Sequence, residues 1–225
     1  MDWFRAVNSY CERTDASYWS EPLNALSNAS FIVFGLIAWR AAAGDRGARL
    51  LAGVLILIGI GSYLFHTHAQ VWAMYADVIP IQAFILIYLY LATARFFGLR
   101  WWAGALAVAL FIPYAALLGR AIAAAFGPLN GSVGYIPVPI LIAGYAAALL
   151  RRSPATARGL LIGAGLLAVS LVFRTIDRAV CPAFPLGTHF LWHLLNGAML
   201  GWMILVLVRH TPDRPAREVF GRASP

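Results

Sequence analysis

Residues 50–68 read Leu50-Leu51-Ala52-Gly53-Val54-Leu55-Ile56-Leu57-Ile58-Gly59-Ile60-Gly61-Ser62-Tyr63-Leu64-Phe65-His66-Thr67-His68. The run holds no Asp, Glu, Lys or Arg, and its length matches the roughly 20 apolar residues that an α-helix needs to cross the hydrocarbon core of a bilayer. It reads as a transmembrane helix whose last turns become polar at Ser62, His66 and His68. Six further apolar runs, separated by Gly, Pro and Arg clusters, lie at about 24–43, 76–96, 101–121, 134–150, 158–176 and 187–208. The fold class predicted is therefore all-α, a polytopic membrane protein with seven transmembrane helices.

Composition agrees. Of 225 residues 61% are hydrophobic and 12% charged, with a mean hydropathy of +0.75, whereas soluble domains carry about 25% charged residues. A chain of this length holds roughly six to eight spans and no sizeable soluble domain. We expect one transmembrane domain over residues 1–225, with an outer segment at 1–23 and a cytoplasmic tail at 209–225. The first residues include Asp2, Arg5, Glu12, Arg13 and Asp15 and lack the apolar core of a cleavable signal, so the first span is expected to direct insertion. No internal repeat is visible.

The net charge of +8 comes from 17 basic and 9 acidic residues, and every basic residue is Arg. Membrane topology explains this better than nucleic acid does, because short cytoplasmic loops collect basic residues. With the N-terminus outside, the inner side holds Arg40, Arg46, Arg49, Arg95, Arg100, Arg151, Arg152, Arg158, Arg209, Arg214, Arg217 and Arg222. The outer side holds Arg5, Arg13, Arg120, Arg174 and Arg178. This asymmetry predicts N-outside and C-cytoplasmic; an even number of spans would break it. An all-Arg, Ala-rich composition suggests a GC-rich bacterial genome, and hence an inner membrane. No obligate protein partner is evident.

Ionisable side chains inside a bilayer are costly and are functional candidates by default. Those singled out are Ser62 and His66, then Asp77, then His189 and His193. Residues four apart share a helix face, so Ser62 pairs with His66 and His189 with His193. In the seven-span arrangement His66 closes the second span, Asp77 opens the third and the histidine pair opens the seventh, all at one level near the outer leaflet. Three neutral imidazoles with an open fourth position are a catalytic zinc arrangement, and zinc makes hydroxide available near neutral pH. Asp77 is then the partner or general base of the water. Ser62 is a donor to an oxyanion or a support for a ligand. The bland alternative is a set of interfacial histidines. His68 faces away from His66 and is read as interfacial, and His210, among arginines at the other side, is read as a snorkelling tail residue. Cys11 and Cys181 both fall on the outer side, where either a disulfide forms or Cys181 is a small apolar residue at a helix end.

Ser62-x-x-x-His66, Asp77 and His189-x-x-x-His193 resemble the alkaline ceramidases, seven-span zinc amidohydrolases in a superfamily that includes the progestin and adipoQ receptors. Cys11-Glu12 followed by Glu21-Pro22-Leu23-Asn24-Ala25-Leu26-Ser27-Asn28 is similar to the ceramidase pattern, whereas the receptors have Thr-His in place of Ser27-Asn28. The resemblance covers nearly the whole chain. It implies a Cys11–Cys181 bridge, because Ile176-Asp177 and Cys181 match the segment holding the partner of the N-terminal cysteine. It also implies calcium near Glu12 and Glu21, with Asp15 as a further carboxylate. There the match is partial: Ser9, Tyr10 and Thr14 replace the family's Asp, Trp and Asn, and the Glu12 to Glu21 spacing is two residues shorter.

The expected function is zinc-dependent hydrolysis of a ceramide-like amide to a fatty acid and a long-chain base. Zinc sits on His66, His189 and His193, Asp77 is the base and Ser62 the oxyanion donor. Alternatives are another lipid hydrolase of the same fold, or a receptor-like member with structural zinc. A transporter fits less well, since the polar residues gather at one end.

Overall fold

The computed structural model describes residues 2–210. Among them are seven helices long and apolar enough to cross a membrane. The first span is two helices, α1 (Pro22–Ser27) and α2 (Ala29–Ala41). Then follow α3 (Arg46–His68), α4 (Val71–Phe96) and α5 (Trp101–Phe126), a 3₁₀ stretch (Leu129–Gly134) leading into α6 (Pro137–Leu149), α7 (Pro154–Val180) and α8 (His189–Arg209). No strand longer than an isolated bridge between Ala6 and Gln70 occurs among the described residues. The tail arginines Arg214, Arg217 and Arg222 lie outside them.

Several boundaries differ from the sequence expectation, each for a local reason. The first span is broken at Asn28. The Ser27 hydroxyl and the Asn28 amide both donate to the Asn24 carbonyl, at 2.9 and 2.8 Å, and such side chains compete with the helical ladder. Helix α4 starts at Val71 rather than near residue 76, so Asp77 lies almost two turns inside the helix. Helix α5 continues through Arg120 to Phe126, and α7 through Arg174 and Arg178 to Val180, so these arginines stand on helices and not in connecting loops.

The interior is formed where α2, α3, α7 and α8 meet. Leu51, Leu55, Ile58, Leu160, Met203, Ile204 and Leu207 are essentially inaccessible. Helix α5 buries only Gly104 and Phe111 and presents Leu106, Leu110, Ile112 and Leu117 outward, the surface expected of a helix facing lipid.

At one end of the bundle, Asp45 begins α3 by accepting from the Ala48 amide at 3.0 Å, a cap worth about 1 kcal/mol. It also receives both terminal nitrogens of Arg95, and Arg95 is the main reason its pKa is held down to about 2. His210 is at this end too, bonded to Thr156 at 2.9 Å and packed on Phe96, so it is a packed residue and not a free tail.

At the opposite end the segment before α1 lies across the helix termini. The Val7 amide donates to the Ala69 carbonyl at 2.8 Å, and the Val71 and Trp72 amides donate to Arg5 and Trp3 at 3.1 and 3.0 Å. A disulfide joins Cys11 to Cys181 with the α-carbons 5.6 Å apart, fastening this segment to the end of α7.

The junction of α3 and α4 sets the register of this end. Pro80 inside α4 has no N–H for the carbonyl of Ala76, four residues earlier. Gly61 of α3 packs on that freed carbonyl so closely that a Cβ at Gly61 would lie 2.0 Å from the Ala76 oxygen. Ser62 is thereby set beside Asp77. Gly61→Ala is expected to cost about 1–3 kcal/mol through overpacking against backbone, seen as a lower melting temperature in detergent. Gly53→Ala, whose new methyl would meet only the Trp39 ring at 3.5 Å, serves as the near-neutral control.

Candidate metal centre and active site

His66 near the end of α3 and His189 and His193 in the first turns of α8 converge, each 1% exposed. One candidate ligand atom from each lies within 4.8 Å of the others, and the ring centroids are 4.5 to 5.2 Å apart. His66 Nε2 and His189 Nδ1 are buried without a hydrogen-bond partner. Buried polar atoms are rarely left so, and neutral ring nitrogens aimed at a common point are what a metal ion takes up. The three histidines therefore fit a metal. No other group of three His, Cys, Asp or Glu side chains with this geometry occurs among the described residues. His68, exposed and packed on Tyr18 and Trp72, is outside it.

Two of the three rings are oriented from behind, and sequence reading missed these supports. The Glu21 carboxylate accepts from His66 Nδ1 at 2.6 Å. The Ser27 hydroxyl pairs with His193 Nδ1 at 2.8 Å, and Ser30 donates to the His193 carbonyl at 2.9 Å. Such contacts fix the ring tautomer and leave the other nitrogen for the metal. Asp177 starts α8: it accepts from the amides of Thr188 at 2.7 Å and His189 at 2.9 Å, and from Cys11 at 2.9 Å. A carboxylate at this position satisfies orphan N–H groups and complements the helix dipole. Gly187, at φ +65°, makes the turn, and a Cβ there would fall 2.2 Å from the Asp177 carboxylate. Tyr10 covers His189, with ring centroids 3.5 Å apart. A usable signal was present in the Glu21, Asn24, Ser27 and Asn28 spacing, which repeats at helical intervals and brings Glu21 and Ser27 to the same site.

The carboxylates assigned to calcium by resemblance do not fit that ion. Glu12 spends both oxygens on the Leu23 and Asn24 amides at 2.7 and 2.8 Å, capping α1. Asp15 is exposed and turned to the Ser17 amide at 2.8 Å. Glu21 is shared among His66, Asn24 and the Arg13 guanidinium. Arg13 itself is buried and donates also to the carbonyls of Asp15, Ser17 and His66 at 3.1, 3.4 and 2.8 Å. A guanidinium thus already fills the oxygen cage between these residues. Burial pushes the Glu21 carboxyl up, but the His66 and Arg13 contacts outweigh it, and the net shift is downward. Glu21 is therefore an acceptor at neutral pH.

Asp77 faces the histidines from α4, with the Ser62 hydroxyl as its hydrogen-bonding neighbour and with Oδ1 buried and unpartnered. It lines a polar chamber shared with Tyr10, Tyr135, Arg174 and Trp192. That chamber adjoins apolar space: Ile81, Tyr135 and Trp192 also line a second cavity. Ile85, Val138, Met199 and Leu200 of the second cavity line a third, reaching Phe84, Tyr88 and Phe111 deep in the bundle. All five residues singled out in the sequence are thus at one end of the bundle.

If Arg13 and Glu21 act on His66 in series, Glu21→Gln and Arg13→Ala should each weaken retention of a metal ion at the histidines about 10–100-fold, read by competition with a chromophoric chelator. Added calcium should not restore either variant.

The family model described as Ceramidase matches residues 6–220. No curated protein matches the chain. The match begins ahead of Cys11 and runs past α8, taking in the whole bundle with both halves of its histidine cluster, and the chain belongs to the ceramidase family, hydrolases that act on amides.

Proposed function

We propose that the protein is a zinc-dependent intramembrane hydrolase that cleaves the amide bond of ceramide-like lipids to a fatty acid and a long-chain base. The observation that carries this reading is the cluster of His66, His189 and His193, with two buried ring nitrogens left unpartnered beside Asp77. These histidines would hold the zinc, which when bound supplies an electrophile for the amide carbonyl and a more acidic water.

Asp77 takes a proton from the attacking water. Its free, buried Oδ1 is an acceptor without a competing partner, which suits a general base. As oxygen adds to the carbonyl carbon, the Ser62 hydroxyl donates to the developing oxyanion. Asp77 then returns the proton to the amide nitrogen as the C–N bond breaks, leaving a carboxylic acid and a free amine. Glu21 and Ser27 keep the His66 and His193 rings from turning. The apolar cavities that adjoin the Asp77 chamber and reach Phe84 and Tyr88 would take an acyl chain, leaving its carbonyl toward Asp77. The distribution of arginines supports a site on the side of the membrane away from the cytoplasm, and the all-Arg, Ala-rich composition favours a bacterial inner membrane.

The direct test is fatty acid release from labelled ceramide by purified protein in detergent, with and without a zinc chelator. Chelator-sensitive release that is absent in His189→Ala supports the reading; undiminished release after zinc removal would sink it. His193→Ala is expected to lose bound metal and activity together. Asp77→Asn should keep zinc while its kcat falls about 10²–10⁴-fold, and Ser62→Ala should fall about 10²–10³-fold. A Ser62→Ala enzyme at wild-type rate would remove Ser62 from the reaction.

A further inference from the structure

Arg174 is a charged residue inside the apolar helix α7, and nothing in the amide hydrolysis outlined above uses it. Its guanidinium stands over three aromatic rings, those of Tyr10, Tyr135 and Trp192, at 5.6, 5.3 and 5.2 Å from the centroids. It donates to the Tyr10 hydroxyl at 2.8 Å, a neutral acceptor at physiological pH. Its Nε is buried with no hydrogen-bond partner. No carboxylate lies within ion-pair distance of it among the described residues. Asp177, one turn further along the same helix, is committed to backbone amides at Cys11, Thr188 and His189. Arginine does not deprotonate, so a permanent, partly buried cation faces the chamber without a carboxylate in direct contact with it.

The chamber holds one acid, Asp77, against two cations, Arg174 and Arg178. Asp77 is the group reserved above for proton transfer. An acyl chain directed into the apolar cavities would leave the amine side of the amide in this chamber, against Arg174 and the Asn130 end of the 3₁₀ stretch. Resting on the amide-hydrolase reading, we infer that Arg174 binds an acidic group on the amine side of the substrate, so that the preferred lipid is an N-acyl amine carrying a carboxylate, phosphate or sulfonate near the scissile amide. The guanidinium recognises all three alike through charge-assisted hydrogen bonds. The aromatic faces hold it in place without neutralising it.

The experiment compares matched lipids on zinc-loaded protein in detergent: N-palmitoyl-serine against its methyl ester, and ceramide 1-phosphate against ceramide. Binding is read by displacement of a fluorescent N-acyl lipid, and hydrolysis is followed in the same samples. The acidic member of at least one pair should bind about 10- to 100-fold more tightly, the range of a hydrogen bond to a charged group, and which pair responds separates a carboxylate from a phosphate. In Arg174→Gln the ratio should fall to near one. Arg174→Lys, which keeps the charge, should retain part of it and covers the case in which the glutamine variant does not fold. Equal or tighter binding of both neutral lipids by the wild type overturns the inference, as does an acid preference that survives in Arg174→Gln. Acid-selective binding without any hydrolysis leaves the anion site standing and overturns the hydrolase reading instead.

Discussion

The buried Glu21 carboxylate is the contact on which the site depends. One oxygen holds the Arg13 guanidinium, and the other holds His66 Nδ1 at 2.6 Å. A carboxylate this far from water is tolerated only when it is paired and fully hydrogen-bonded, and Glu21 meets that condition with Arg13 and Asn24. Its charge then fixes the ring of His66 and leaves Nε2 free toward the other two histidines. Arg13 in turn reaches the His66 carbonyl at 2.8 Å, so one guanidinium braces both the ring's partner and the ring's own backbone.

This arrangement explains why the segment before α1 belongs to the end of the protein that carries the histidine cluster. It is strapped across the helix termini by backbone hydrogen bonds to Ala69 and Val71 and by the Cys11–Cys181 disulfide. Glu12 caps α1 and Tyr10 covers His189. Losing the strap would remove the support of His66, the cover of His189 and part of the pairing of Asp177 in one step. The disulfide closes a loop of 170 residues, and cross-links of long loops restrict the unfolded chain most.

Helix packing supplies the rest of the geometry. The proline of α4 frees the Ala76 carbonyl, and the small residue Gly61 lets α3 approach it, which places Ser62 and Asp77 together. At α8 the same precision comes from electrostatics, with Asp177 at the helix start next to His189. The polar chamber and the apolar cavity lie side by side, with Ile81, Tyr135 and Trp192 forming walls of both.

Seven spans, their all-helical character and the gathering of His66, Asp77, His189 and His193 at one level were legible in the sequence, because hydropathy over about 20 residues and the 3.6-residue period are local properties. The supports were not. Glu21 read as a calcium ligand and Arg13 as an outer charge, since spacing along the chain says nothing of which acceptors a guanidinium will reach. Arg174 obeys the rule that picked out Asp77, an ionisable residue in an apolar run, yet its position at a span boundary let it pass as a loop charge. The break at Asn28 depends on side chains competing for a single carbonyl. The sequence by itself determined which elements cross the membrane and which residue types they bring to one end. Only the tertiary structure decided which nitrogen of each histidine is left open and where the cations Arg13 and Arg174 come to rest, because hydrogen-bond partners are assigned by the three-dimensional approach of segments far apart in the chain.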